Sequence, residues 1–369
     1  MNKDVDVFVV GGGPAGLGAG IAAAQLGLSV MVADAARPPI DKACGEGIMP
    51  DGVLALRAIG VDLAGLTVAP FEGVRFVDAA GEIHARFPKG VGLGMRRSVL
   101  HSVLAERADS AGVRLAWGTR VTAVRQGEVD AGGRTIKSRF VVCADGLNSS
   151  LRQMAGLSAG KVYRLRYGFQ THYQTKPWSP FVEVHWANCG QIYVTPVGAA
   201  EICVVFITSD KHIRLNDALP QFPELRERLA GQTMSDRAVG GLTVTRKLKT
   251  VTNGRVALVG DSSGSADAIT GDGLSMAFQQ AAALADAMRS GDLNEYRLKH
   301  REISRLPRNM GKLMLVMHDY PWVRRKMFLG FSQSPPMFER LLAMHTRAIS
   351  PMQLGVKDYL AFGLGVLRA

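Results

Sequence analysis

Short apolar runs alternate with helical segments over the first part of the chain. Val7 to Val10 and Leu28 to Ala33 are continuous apolar runs of strand length, and an alanine- and leucine-rich helical segment joins them. The hydrophobic spacing predicts further elements at residues 52–59 (helix), 97–111 (helix), 113–117, 119–125 and 139–144 (strands). Strands that alternate with helices are typical of an α/β domain.

From about Lys161 the pattern changes to longer strands rich in Tyr, Val, Thr and Ile. We predict strands at residues 163–173, 181–186, 191–196, 200–208 and 242–248, an earlier pair at 71–77 and 82–87, and a helix at 216–230. Successive strands without intervening helices favour a mostly antiparallel sheet, and therefore a second domain. Beyond Leu293 the sequence is helical and basic.

The first apolar run leads into three glycines, Gly11, Gly13 and Gly16, with the spacing G-x-G-x-x-G. The first glycine permits a tight turn, the second lets the backbone approach a pyrophosphate, and the third lets the helix pack against the strand. The helix N-terminus attracts phosphate. Asp34 follows at the distance from which an acid accepts hydrogen bonds from ribose hydroxyls. We therefore predict a dinucleotide-binding site.

The same stretch has an alternative interpretation as a membrane span. No charged residue occurs between Val7 and Ala33, and uncharged runs of this length are candidates for spanning a bilayer. The many glycines and Pro14 argue against a span, so the dinucleotide site is the favoured interpretation.

The chain of 369 residues has the composition of a soluble globular protein, with 47% hydrophobic and 21% charged residues. Its net charge of +12 favours acidic partners, which are a phosphorylated cofactor, an anionic membrane surface or an acidic carrier protein. We expect no nucleic-acid partner, because no compact basic run is interleaved with aromatic residues. The four cysteines form no C-x-x-C pair, which indicates a cytoplasmic protein without a metal site or disulfides. Membrane-peripheral attachment through the basic C-terminal helices is the alternative.

Two further glycine and acid motifs follow predicted strands. Ala144-Asp145-Gly146 comes after the strand at 139–144, and Gly260-Asp261 comes after a buried strand at 255–259, with Gly271-Asp272-Gly273 opening a helix at 274–289. Three motifs in this order resemble the FAD-dependent para-hydroxybenzoate hydroxylase-like superfamily, over roughly residues 4–290. That group includes aromatic monooxygenases, geranylgeranyl reductases and flavin-dependent halogenases.

The resemblance implies a fold and an FAD site. It implies an α/β protein with a Rossmann-like, glutathione-reductase-like FAD-binding domain, an antiparallel β-sheet substrate domain and a helical C-terminal region. The implied boundaries are 1–70, 95–160 and 250–292 for the discontinuous FAD domain, 71–94 and 161–249 for the substrate domain, and 293–369 for the helical region. The implied FAD-binding residues are Gly11, Gly13, Pro14, Ala15, Gly16, Asp34, Cys44, Gly45, Arg97, Val121, Asp145, Gly146, Gly260, Asp261, Gly271, Asp272, Gly273 and Leu274.

The sequence departs from the hydroxylase branch at two positions. Gly264 and Ala268 stand where hydroxylases often carry a histidine and a proline. The segment Cys44-Gly45-Glu46-Gly47 instead resembles the C-G-x-G loop of geranylgeranyl reductase relatives, whereas the W-x-W-x-I-P signature of halogenases is absent. The catalytic residues stay unassigned, and the candidates are Cys44, Glu46 and His185.

Three functions follow as alternatives. The leading hypothesis is an FAD-dependent monooxygenase that hydroxylates an aromatic or hydrophobic small molecule of secondary metabolism, with NADPH or NADH as electron donor. The second is a reductase of the geranylgeranyl reductase type, which saturates an isoprenoid double bond. The third is a non-catalytic, membrane-peripheral module that binds FAD. A compact cavity favours rings as substrates, and a long apolar tunnel favours prenyl chains.

Overall fold

A computed structural model describes residues 3–63 and 65–350 of the chain. Its first sheet includes the strand that leads into Gly11, Gly13 and Gly16. The strands of this sheet are β1 (Val5–Val10), β2 (Val30–Asp34), β8 (Arg114–Trp117), β9 (Val121–Arg125), β10 (Glu128–Ala131), β11 (Arg134–Cys143), β18 (Thr252–Asn253) and β19 (Val256–Leu258). Strands β19, β11, β1, β2 and β8 lie side by side in that order and pair in parallel. The carboxyl ends of these strands therefore meet at one edge.

The second sheet is mostly antiparallel, as predicted. Its strands are β5 (Gly73–Asp78), β6 (Gly81–Arg86), β12 (Gly160–Gln174), β13 (Phe181–Ala187), β14 (Gly190–Gly198), β15 (Glu201–Thr208), β16 (Thr233–Met234) and β17 (Val239–Leu248). The pairing of β13 with β5 is parallel and attaches the early hairpin to this sheet. A small third sheet joins β3 (Gly47–Ile48), β7 (Gly92–Gly94) and β4 (Ala69–Phe71).

The α-helices cover both sheets. They are α1 (Pro14–Gln25), α2 (Pro50–Ala58), α3 (Arg97–Ser110), α4 (Leu151–Met154), α5 (Leu215–Ala218), α6 (Pro223–Leu229), α7 (Gly273–Ser290), α8 (Leu293–Asp319), α9 (Pro321–Gln333) and α10 (Pro335–His345). Helices α1 and α7 pack on each other against the first sheet, and α8 to α10 pack against the second. The mixed α/β class is thus confirmed. The predicted helical region extends to 369, and residues 351–369 lie outside the described part.

Two local predictions were wrong. The sequence pattern predicts Asp51 as the N-cap of the helix at 52–59, but in the structure Met49 is the N-cap of α2, Pro50 opens the helix, and Asp51 accepts a hydrogen bond from Gln279 (2.7 Å). The helix predicted at 216–230 is divided into α5, a 3₁₀ turn and α6, since proline at positions 220 and 223 lacks the N–H that a helix interior needs.

No helix in the described ranges 3–63 and 65–350 is long and apolar enough to cross a bilayer. The segment from Val7 to Ala33, which had raised that question, forms β1, α1 and most of β2. Most of its apolar residues are buried in the core that the first sheet forms with helix α1.

Candidate active site

One large cavity, of about 720 Å³, lies where the first sheet meets the second. Gly11 and Ala144 line it directly after the parallel strands β1 and β11, and Gly260 lines it two residues after the end of β19. The three sequence motifs thus converge at the carboxyl edge of the sheet, although they are separated by more than a hundred residues. The lining residues that the sequence had predicted are Gly11, Gly13, Pro14, Ala15, Asp34, Cys44, Gly45, Arg97, Asp145, Gly146, Gly260, Asp261, Gly271, Gly273 and Leu274.

The glycine turn has no space for side chains at two of its three glycines. A Cβ on Gly11, whose φ is +108°, would lie 2.4 Å from the Ala144 carbonyl oxygen, and a Cβ on Gly16 would lie 1.8 Å from the Gly11 carbonyl oxygen. Gly13 differs, because a Cβ there would meet no atom within 4 Å. Its open side is the free space that a pyrophosphate requires above a helix N-terminus.

Asp34 and His101 hold the glycine turn in place. The two carboxylate oxygens of Asp34 accept hydrogen bonds from the backbone N–H groups of Gly12 and Ala36, each at 2.7 Å. His101 Nε2 donates to the Gly12 carbonyl oxygen at 2.9 Å, and burial lowers the pKa of this histidine, so it is neutral. Sequence analysis missed His101, although it lies four residues after Arg97 and one helical turn along the same helix.

Two buried polar atoms beside the cavity have no hydrogen-bond partner among the residues that the structure describes, and they show whether a cofactor fits. They are Asp145 Oδ1 and Arg97 Nε. Both residues line the cavity, and buried polar atoms are normally paired. A guanidinium and a carboxylate with unused bonding capacity match the phosphates and hydroxyls of a dinucleotide. The site therefore fits FAD.

The N-terminus of helix α7 faces the same cavity. Gly271 adopts the left-handed conformation (φ +70°), and a Cβ on Gly273 would meet nothing within 4 Å. The backbone N–H groups at this end can therefore stabilise negative charge on a bound ligand. Burial raises the pKa of the neighbouring Asp272 to about 6, and His345 Nε2 lies 3.4 Å from its carboxylate.

The structure places four predicted residues away from the lining of the cavity. Gly16 packs beneath the turn and Asp272 caps helix α7. Val121 begins β9, on the hairpin at the side of the first sheet. His185 lies on β13, where Val184 faces the cavity, so its side chain lies on the opposite face and pairs with Glu183 at 2.9 Å. Which residues touch FAD stays a prediction for all these positions.

The loop that contains Cys44 and Glu46 runs from β2 to β3 and contacts strand β12 of the second sheet. Gln170 on β12 accepts a hydrogen bond from the Cys44 N–H (3.0 Å), and His172 on the same strand contacts Glu46 at 2.7 Å. Cys203 lies beside them and donates to the Cys44 carbonyl oxygen (3.7 Å). Burial raises the pKa of Cys203 well above its ordinary value, and the nearby Glu46 adds to this, so the thiol is neutral.

The part of the cavity nearest the second sheet and the C-terminal helices is apolar. Sequence analysis predicted none of this wall, because its residues come from seven separate elements and no short motif connects them. The residues that form this apolar chamber are Phe71, Val74, Phe76, Val182, Val184, Val205, Ile207, Met310, Leu313, Met314, Met317, Met327, Phe331, Phe338, Leu341 and Leu342. Methionines fill irregular space and adapt to flexible ligands.

Comparison with known proteins assigns the family. A family profile described as "FAD binding domain" matches residues 4–291. The chain belongs to this FAD-binding family. It is an FAD-dependent oxidoreductase of the para-hydroxybenzoate hydroxylase-like and geranylgeranyl reductase-like superfamily, and therefore an enzyme.

Two relatives with curated functions are named as reductases. This flavoprotein is 26% identical to the menaquinone reductase of Mycolicibacterium smegmatis over 80% of its own chain and 79% of the relative. It is 25% identical to the digeranylgeranylglycerophospholipid reductase of Methanocella arvoryzae, over 80% and 81% of the two chains. A flavoprotein/dehydrogenase from Cytophaga hutchinsonii shares the fold, with a TM-score of 0.83, 17% identity and 98% coverage of both chains.

Proposed function

We propose that this flavoprotein is a reductase that adds two hydrogens across a carbon–carbon double bond of a long, apolar, isoprenoid-type substrate. Bound FAD, once reduced, supplies the hydride. NADPH or NADH is the proposed source of electrons for the cofactor. The observation that carries the proposal is the apolar chamber, which continues directly from the predicted cofactor site.

The wall of the chamber supports a flexible hydrocarbon rather than a polar ring. Met310, Leu313, Met314 and Met317 contribute from one long helix, α8. The strands of the second sheet contribute valines, Phe76 and Ile207. Such a surface gains free energy by removing an apolar chain from water, at about 25 cal/mol per Å². The two curated relatives are also named as reductases, and one name specifies a geranylgeranyl lipid, which is an unsaturated isoprenoid.

Hydroxylation of an aromatic ring, the leading hypothesis from sequence, remains the alternative outcome of the test. Gly264 and Ala268, which differ from the hydroxylase pattern, lie in the segment between β19 and α7 beside the cavity. The proposal favours reduction because the chamber offers much apolar surface and few groups to orient a polar ring.

A single-turnover experiment distinguishes the two reactions. The purified FAD-loaded protein is reduced with dithionite under anaerobic conditions and mixed with a geranylgeranyl lipid. We expect reoxidation of the flavin and a product with two added hydrogens, measured by mass spectrometry. A product that contains an added oxygen atom, formed only after air is admitted, would show that the protein is a monooxygenase.

A pair of variants on helix α8 serves as the structural control. Met314→Trp places a large ring in the chamber, whereas Val316→Trp lies on the exposed face of the same helix. We expect Met314→Trp to lower kcat/KM for the geranylgeranyl lipid roughly 10-fold or more, since overfilling a packed space costs about 1–3 kcal/mol. Equal activity of Met314→Trp and Val316→Trp would contradict binding of the isoprenoid in this chamber.

A further inference from the structure

Glu46 is a buried acid at the edge of the cavity, held in an uncommon backbone conformation. Glu46 is among the residues that line the cavity, it is 3% exposed, and its φ is +57°, a region that non-glycine residues rarely adopt. One carboxylate oxygen accepts a hydrogen bond from the Arg97 N–H (2.8 Å), and the other lies 2.7 Å from His172 Nε2. Strain of this kind is retained where surrounding structure fixes a functional group.

His172 connects Glu46 to the protein surface. Its second ring nitrogen, Nδ1, lies 2.9 Å from Asp236 Oδ2, and the Asp236 side chain is 36% exposed. Arg96 Nη1 also lies 2.9 Å from Nδ1, and Arg96 pairs with both Asp236 and Glu201 at 2.6 Å. A continuous line of hydrogen bonds therefore runs from solvent through Asp236 and His172 to Glu46 and the cavity.

The partners of Nδ1 suit both protonation states of the ring. When Nδ1 carries a proton it can donate to Asp236, and when it lacks one it can accept from Arg96. On the other side, Nε2 faces the Glu46 carboxylate, which can receive a proton from it. A histidine whose two nitrogens each have a partner in either state can take up a proton on one side and release it on the other.

We propose that Asp236, His172 and Glu46 form a proton relay that carries protons from solvent into the cavity. The proposal rests on the proposed function, because reduction of a double bond needs one proton for every hydride. The hydride and its two electrons come from reduced FAD, the proton comes from solvent through the relay, one π bond breaks and two C–H bonds form. Glu46 regains its proton from His172, and His172 regains its proton through Asp236.

The charges that face His172 support this role. Burial and the positive charge of Arg96 lower the pKa of His172. The hydrogen bond to Glu46 and the negative charges of Glu46 and Asp236 raise it by more, so the pKa lies above its ordinary value. Glu201 also faces the ring, and the neighbouring Cys203 thiol is neutral. The raised pKa favours the charged form of His172, which is the form that can donate a proton to Glu46.

Titration of His172 by NMR tests the coupling without substrate. The protein carries ¹³C-labelled histidine, and the eight histidine signals are assigned by single His→Gln variants. Glu46→Gln keeps an oxygen for the Arg97 N–H but removes the charge, so we expect the His172 midpoint to fall by about one pH unit or more. Glu183→Gln, which removes the carboxylate paired with His185 on the other sheet face, is the matched control and leaves the His172 midpoint unchanged.

Kinetics under anaerobic conditions test proton delivery. In Glu46→Gln and His172→Gln we expect substrate-dependent flavin reoxidation to slow about 100-fold and to lose its pH dependence near neutrality, as when a general acid is removed. Reduction of the flavin by dithionite keeps its rate in both variants, and Glu183→Gln keeps both rates.

The results separate the relay from the proposed function. An unchanged His172 midpoint in Glu46→Gln, unchanged reoxidation in both variants, or a stoichiometric divalent metal bound at His172 would overturn the relay. If the wild-type protein reduces no isoprenoid, the proposed function fails, and the relay is then decided by the NMR midpoint of His172 alone.

Discussion

Asp267→Ala is expected to lower the free energy of unfolding by about 3–5 kcal/mol, because it leaves a buried cation without its partner. Arg166 is fully buried, and its Nη1 lies 3.0 Å from the Asp267 carboxylate, which is 1% exposed. The same carboxylate accepts from the Ile269 N–H and begins the turn that leads to helix α7. Urea denaturation of the FAD-saturated protein measures the loss.

The control for this prediction is the ion pair of Arg164, which lies two residues before Arg166 on strand β12. Arg164 pairs with Asp319 at the surface, where the side chains are 26% and 36% exposed. Asp319→Ala is therefore expected to cost less than about 1 kcal/mol. The double variant Arg166→Met with Asp267→Leu should recover most of the stability lost by Asp267→Ala, since no buried charge remains. Equal losses from Asp267→Ala and Asp319→Ala would contradict the account.

Gly13→Ala is expected to weaken FAD binding while leaving the fold intact. Gly13 has φ −75° and ψ 178°, which alanine adopts freely, and its Cβ would enter open space at the cavity. We predict that the pyrophosphate of FAD occupies that space. A methyl group there should lower FAD affinity roughly 10- to 100-fold, equivalent to about 1–3 kcal/mol of overpacking. Fluorescence titration of apo-protein with FAD measures the affinity.

Gly16→Ala gives the contrasting result. Its Cβ would overlap the Gly11 carbonyl oxygen at 1.8 Å, so the turn must move and the apo-protein itself loses stability. Melting of the two apo-proteins separates the effects, because Gly13→Ala should melt like wild type and Gly16→Ala should melt lower. If Gly13→Ala binds FAD as tightly as wild type, the pyrophosphate does not occupy the glycine turn.

The sequence allows a prediction for the cofactor half of the site because local rules fix the residues concerned; which of them contact FAD stays a prediction. Gly11, Gly13 and Gly16 are required by the backbone geometry of a strand, turn and helix, and this geometry is encoded within a few consecutive residues. The same holds for Asp145-Gly146, which comes just after strand β11, and for Gly271, which comes just before helix α7. The resemblance then supplied the identity of the ligand.

The rest of the site depends on contacts between distant segments. Glu46 meets His172 only because the register of β12 places that residue beside the loop, 126 positions along the chain. The apolar chamber depends on helices α8 to α10 packing over the second sheet. The sequence of these helices suggested a basic cap, since charge is visible in composition whereas tertiary packing is not.

Hydrogen–deuterium exchange on adding FAD to the apo-protein tests most directly whether the separate motifs form one cofactor site. We predict that FAD protects three segments together, which are residues 10–17, 144–148 and 259–276, and leaves the outer hairpin at 121–131 unchanged. Protection of the first segment without the other two, or no protection in any of them, would contradict a single FAD site at the carboxyl edge of the parallel sheet.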